Sequence, residues 1–83
     1  MKLTDLPNIG PVLAGNLMKI GITTPEQFRE VGAQAAFFRI RAQVDPGACL
    51  HQLEVLAGAE AGVKKSLLPS ERKAELKLWY QTL

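Results

Sequence analysis

A hydrophobe, a glycine and then a helix are written twice within the first 36 residues of this chain, an internal echo that points to two helical hairpins. The first copy is Leu6-Pro7-Asn8-Ile9-Gly10-Pro11, leading into a helix that ends at Gly21-Ile22. Glycine takes backbone angles that other residues resist, and proline at the first helical position gives up an N–H that the helix leaves unpaired. Gly10 and Pro11 therefore predict a tight turn feeding straight into a helix. The spacing Leu6-x-x-Ile9-Gly10-x-x-x-Ala14 recurs as Phe28-x-x-Val31-Gly32-x-x-x-Ala36. Each copy sets a small alanine one turn into its helix, where it allows close packing. Stacking the two units would bury the apolar side of both.

Around this core of two hairpins the rest of the chain reads as helix. Met1 to Leu6 is short, extended or a single turn, with Leu3 and Leu6 available to the core. Pro11 to Ile20 carries Leu13, Leu17 and Ile20 on one face, with Gly21 as its stop and Ile22 packed beneath. Thr24 reads as the cap of a second helix, Pro25 as its first residue and Gln27 as the reciprocal partner of a capping box. That helix turns Phe28 and Val31 inward and stops at Gly32. A third spans Ala33 to Val44, with Ala36, Phe37, Ile40 and Val44 on one face and Phe38 adjoining it, at least partly buried. Asp45 is placed to cap, and Pro46 to begin, a fourth helix running to about Ala61. Its apolar side is Cys49, Leu50, Leu53, Leu56 and Ala57. Gly58 weakens this helix and Gly62 terminates it. After a connector from Val63 to Leu68, Ser70 caps a last helix with the stripe Leu76, Trp79, Tyr80 and Leu83. No alternating strand pattern occurs. The expected fold is all-α, one domain over residues 1–83 with about five short helices.

Charge excludes little. Residues 1–44 hold five basic against three acidic residues, and residues 45–83 hold five against five, for a net charge of +2. That is far from the strongly basic profile of a dedicated nucleic-acid binder. Cys49 is the only cysteine, so no internal disulfide forms, and a reducing compartment is expected. Among apolar neighbours it reads as a small buried hydrophobe. No apolar run reaches membrane-spanning length and no signal-peptide pattern opens the chain, so the expected location is the bacterial cytoplasm, with no membrane partner.

The stretches LPNIGPVLAGNLMKIGI, TPEQFREVGAQAAFFRI, LHQLEVLAGAEAG and LPSERKAEL together resemble the C-terminal domain of the TfoX (Sxy) competence regulators. The resemblance runs from Leu3 to about Tyr80. It is most specific in the Leu-Pro-Asn-Ile-Gly-Pro opening, in Gly21-Ile22-Thr23, and in Gly32-Ala33 followed by Arg39. It implies a small helical domain similar to helix-hairpin-helix and SAM-like modules. Some members sit behind an N-terminal domain in regulators of natural transformation, and others stand alone. The family often has a tryptophan shortly before the late Leu-Pro, where this chain has Lys64-Lys65-Ser66. That departure changes one packing position or one surface and leaves the fold assignment intact.

Three groups of residues are candidates for function. In helix-hairpin-helix modules a turn such as Asn8 to Val12 aims backbone N–H groups at a phosphate. Here Asn8, which tolerates the left-handed conformation, stands where a glycine is usual, and Asn8, Gly10 and Val12 are the candidate contacts. Val12 and Leu13 occupy positions where such hairpins commonly offer Lys or Arg, so a turn used for packing alone is the leading reading. Arg29, Arg39 and Arg41, with Lys19, form the best basic cluster, set against a solvated face with local pairs such as Glu26 to Arg29. Lys64-Lys65 and Arg72-Lys73 read as solubilising charge. Trp79 and Tyr80 read as core and rim of the last helix, and as candidate anchors for a partner.

His51 lies one turn from Glu54, yet no nucleophile or metal-ligand set accompanies it, and it reads as a partly exposed helix residue. No catalytic site, cofactor, metal or small-molecule substrate is expected. The leading function is a non-catalytic regulatory or binding module acting by protein–protein contact or self-association. The alternative is weak, sequence-nonspecific DNA binding through the hairpin and the arginines.

Overall fold

A computed structural model describes all residues from Met1 to Leu83. Five α-helices follow in chain order and no strand is present: α1 (Pro11–Lys19), α2 (Pro25–Val31), α3 (Ala33–Gln43), α4 (Leu50–Ala61) and α5 (Ser70–Gln81). Single 3-10 turns at Leu3–Asp5 and Lys65–Leu67 lead into the first hairpin and join α4 to α5. The most central element is α4, which packs against α3, α5 and the Lys65–Leu67 turn. On its other side α3 meets α1 and α2. The buried core is wholly apolar and draws on every helix, with Leu17, Phe28, Phe37, Ile40, Leu53, Leu56 and Leu76 fully enclosed.

Local chemistry sets the ends of the first two helices. Behind α1, Gly21 takes a φ of 89°, its N–H bonds to the Met18 carbonyl at 3.0 Å, and the Ile22 N–H reaches the Leu17 carbonyl at 3.0 Å. Ile22 and Leu17 are both buried, which completes the hydrophobic contact beneath this glycine cap. At the start of α2 the Gln27 N–H donates to Thr24 Oγ1 at 3.1 Å. The return bond is one residue earlier than expected: Gln27 Oε1 accepts from the Thr23 backbone N–H at 2.7 Å and from its hydroxyl at 2.9 Å.

The two hairpin units are real, but their glycines work differently. In both copies the alanine N–H makes the first intrahelical bond to the glycine carbonyl, Ala14 to Gly10 and Ala36 to Gly32, each at 3.0 Å. Gly32 ends α2 and begins α3 in one residue with φ 86°, a conformation open mainly to glycine. Gly10, by contrast, sits at φ −92° and ψ −178°, extended backbone that any residue adopts. The left-handed residue of the first turn is Asn8, at φ 67°. The conformational freedom expected of Gly10 is therefore supplied two residues earlier.

Five further expectations are corrected. The fourth helix begins at Leu50, with Cys49 at its cap, rather than at Asp45-Pro46. Asp45 is taken up by a turn: its N–H returns to the Ile40 carbonyl at 2.8 Å and its Oδ1 accepts the Gly47 N–H at 3.0 Å. Buried Ala48 then anchors the chain, and Cys49 is exposed instead of buried. The cap of α5 is Pro69, with Ser70 its first helical residue, while Leu83 lies beyond the helix and is exposed. Phe38 is 54% exposed, because the face of α3 turned to the core is already filled by Ala33, Ala36, Phe37 and Ile40. The helix ends otherwise differ by one residue, with Ile20 and Val44 serving as caps.

Gly58 has a role that its helix propensity hides. A Cβ there would lie 2.8 Å from Asn8 Nδ2, 2.9 Å from the Val63 carbonyl oxygen and 3.3 Å from Lys65 Cα. It is a notch in α4 into which the first hairpin turn and the α4–α5 connection both settle. Replacing an interior helical glycine by alanine gains about 1 kcal/mol of propensity. Overpacking against backbone costs about 1–3 kcal/mol and also disturbs the Asn8 contacts. Gly58→Ala is expected to lower unfolding free energy by about 1–2 kcal/mol, read from denaturant midpoints, whereas Gly10→Ala, with nothing within 4 Å of its Cβ, stays within about 1 kcal/mol of the native chain.

Candidate interaction surface

The first hairpin lays its most specific side chain, at the surface, across to a distant part of the chain. Asn8 Nδ2 donates to the carbonyls of Val63 at 3.1 Å and Val55 at 3.4 Å, and its Oδ1 accepts the Lys65 N–H at 3.1 Å. Asn8 thus ties residues 47 to 57 positions away in the chain to the hairpin. Gly10 and Val12 stand at the open start of α1, Val12 at 79% exposure, and no side chain caps that helix.

The basic residues of the expected cluster are spread over three helices, Lys19 on α1, Arg29 on α2 and Arg39 and Arg41 on α3. Lys19 and Arg29 are exposed in the last turns of α1 and α2. Arg39 and Arg41 are two residues apart on α3, which separates them by roughly 200° around the helix. Arg39 is exposed, while Arg41 holds its guanidinium 5.3 Å from the centroid of the Tyr80 ring, a cation–π contact. The Glu26–Arg29 pair expected from spacing is not formed; the one ion pair of the chain joins Lys65 to Glu54 at 3.6 Å. Lys65 Nζ also lies 2.6 Å from His51 Nδ1, beside the exposed start of α4. Arg72 reaches back to α3, placing its guanidinium 3.4 Å from Gln34 Oε1.

Trp79 and Tyr80 are half-buried and clasp Phe37 between them. The Phe37 ring centroid is 6.2 Å from Trp79 with the planes at 66°, and 6.0 Å from Tyr80 with the planes at 56°. These tilted arrangements match the preferred geometry of aromatic pairs. The result is an aromatic joint between α3 and α5, with Arg41 laid over its edge.

Beside this joint lies a surface that the sequence reading passed over. Phe38, Arg41, Ala42 and Leu83 line a shallow depression of about 190 Å³. Ala35, Phe38 and Ala42, spaced at three and four residues, share the solvent face of α3 opposite Ala36, Phe37 and Ile40. The signal was present in the chain as a second apolar stripe on the same helix. It was masked because Phe38 directly follows a genuine core residue. No residue of α3 carries negative charge, so its exposed side is apolar and positive.

Five packed helices with an apolar, arginine-flanked outer face define a small all-α domain built from two helical hairpins. The chain belongs to the TfoX C-terminal domain family, whose model matches residues 1–80. It is similar to a crystal structure of an uncharacterised protein from Listeria monocytogenes in a triclinic form. The two share 40% identity at a TM-score of 0.95, over 99% of this chain and 92% of that one. It is similar also to a protein of unknown function from Listeria monocytogenes in a tetragonal form. There the identity is 41% and the TM-score 0.92, over 96% of each chain. A search of curated proteins finds no match. No helix is long and apolar enough to cross a membrane.

Asn8 allows a direct test of how the hairpin is held. Asn8→Gly keeps the left-handed backbone accessible but removes three bonds to Val55, Val63 and Lys65. With a net value of about 1 kcal/mol for a typical hydrogen bond, the loss outweighs the relief of backbone strain. The expected outcome is a fall in the urea midpoint equivalent to about 1–3 kcal/mol at unchanged slope. An unchanged midpoint would show that the side-chain bridge contributes nothing.

Proposed function

We propose that this domain is a non-catalytic binding module of a regulatory protein and that it works in the bacterial cytoplasm by protein–protein contact through the outer face of α3. The observation that carries the reading is Phe38. It is a large aromatic at 54% exposure, flanked by the exposed alanines Ala35 and Ala42 and bordered by Arg41. Full burial of a phenylalanine side chain contributes about 1.5–3 kcal/mol, so roughly half of that gain is left for a partner to collect at Phe38. Aromatics and arginine are also the residue types that dominate protein interfaces. Membership of the TfoX C-terminal domain family supports a regulatory setting.

DNA contact through phosphates needs several cations on one side of the molecule. Arg39 and Arg41 lie on opposite flanks of α3, and one of them is engaged with Tyr80. That geometry favours a protein partner.

The test is site-specific photocrosslinking in the cell, with benzoylphenylalanine placed at position 38. The outcome expected is a protein adduct of defined mass that disappears when the probe is moved to exposed Glu26. Adducts to nucleic acid alone, or none at either position, would overturn the reading. As a folding control, Phe38→Ser is expected to cost about 1 kcal/mol of stability, the share of the ring already covered, and to leave the fold intact.

A further inference from the structure

We propose that the outer face of α3 receives an amphipathic helix carrying acidic side chains on both sides of its apolar stripe. This rests on the protein-contact reading and names the chemistry of the partner. Successive residues of a helix are about 100° apart, so positions can be laid out around α3 from Phe38. Ala35 and Ala42 fall about 60° and 40° to one side of Phe38 and make up the rest of the stripe. Arg39 lies about 100° to that side, and Arg41 about 60° to the other. The spacing that keeps the two arginines from forming one basic patch sets them as a bracket around an apolar strip.

The strip is shaped for a helix. One large side chain lies between two alanines, and Ala35 and Ala42 are seven residues apart, roughly two turns. Small residues on either side of an aromatic let a second backbone approach while the ring fills the groove between its turns. The flanking arginines stand where charged residues of paired helices select their partners. Neither guanidinium has a carboxylate partner within the chain, whose one ion pair is elsewhere, between Lys65 and Glu54. Guanidinium groups bind carboxylates through paired hydrogen bonds, and α3 offers none of its own. Charge complementarity therefore calls for acid on both flanks of the incoming helix.

A second copy of this chain fits less well. Its most exposed apolar helix position outside α1 and α3 is Leu78, at 67% exposure on α5. Around that helix Glu75 lies about 60° to one side of Leu78, but Lys77 lies about 100° to the other. Docked on α3, such a face would satisfy one arginine and confront the other with like charge.

Two designed helical peptides test the proposal against the full chain by nuclear magnetic resonance. Both carry a leucine stripe at alternating spacings of three and four. One has glutamate on both flanks, and the other has lysine at those same positions. The glutamate peptide is expected to shift amide signals of Ala35 to Gln43, with at least tenfold weaker binding by the lysine peptide. Arg39→Glu with Arg41→Glu is expected to reverse that preference, and Arg39→Glu alone, at an exposed position, to narrow it severalfold with the fold intact. Equal binding of both peptides, shifts confined to other helices, or no shift at millimolar peptide would overturn the proposal. So would a dimer in sedimentation that Phe38→Ser dissolves, since that would make a second copy the occupant. A protein adduct at position 38 combined with no charge preference removes this inference and leaves the protein-contact reading standing.

Discussion

The side chain of Asn8, seated across the notch at Gly58, is the constraint on which the arrangement of this domain depends. Its amide spans the first hairpin, the middle of α4 at Val55, and the connection that follows at Val63 and Lys65. These three segments meet at a point where α4 has no side chain to hold them apart. The left-handed backbone of Asn8 aims the amide there, and Gly62, also left-handed, bends the chain back so that Val63 and Lys65 are within reach. A glycine cap behind α4, with Gly62 N–H on the Ala59 carbonyl and Val63 N–H on that of Gly58, holds the bend.

The same logic of borrowed partners governs α3. Its first turn has no capping side chain of its own, since Gly32 supplies none. Glu60, on α4, accepts the Ala33 N–H at 3.2 Å and brings negative charge to the positive end of the helix. With Phe37 gripped by Trp79 and Tyr80, α3 is thus held at one end by a carboxylate and near its middle by an aromatic contact, while its most extensive packing is against α4. A helix held so firmly from inside can present an apolar residue outside without collapsing onto it. Phe37 and Phe38 are neighbours in the chain, yet about 100° of helical rotation sends one to the core and the other to solvent.

Most of the helix boundaries were legible because the interactions that set them are local. The glycine stops at Gly21 and Gly62, the threonine cap at Thr24 and the shared glycine at Gly32 involve partners within a few residues, so residue type and spacing suffice. Where two local options compete, spacing does not decide. Asp45-Pro46-Gly47 has the chemistry of both a helix start and a turn, and the turn prevails as the chain closes α3 and buries Ala48. The misplaced start of α4 carried Cys49 with it from an expected interior position to an exposed cap. Trp79 and Tyr80 were recognisable as candidate anchors, but their clasp on Phe37, and the role of Arg41 across it, were not.

By itself the sequence determined that this is an all-helical domain, where most of its helices stop, and to which family it belongs, because periodicity, glycine and proline act over a single turn. Only the tertiary structure decided that Phe38 meets water, why Gly58 is a glycine, and that Asn8 and Glu60 serve segments 57 and 27 residues away. Those contacts are fixed by the packing of helices distant in the chain. A bond between two such segments leaves no periodic trace in either of them.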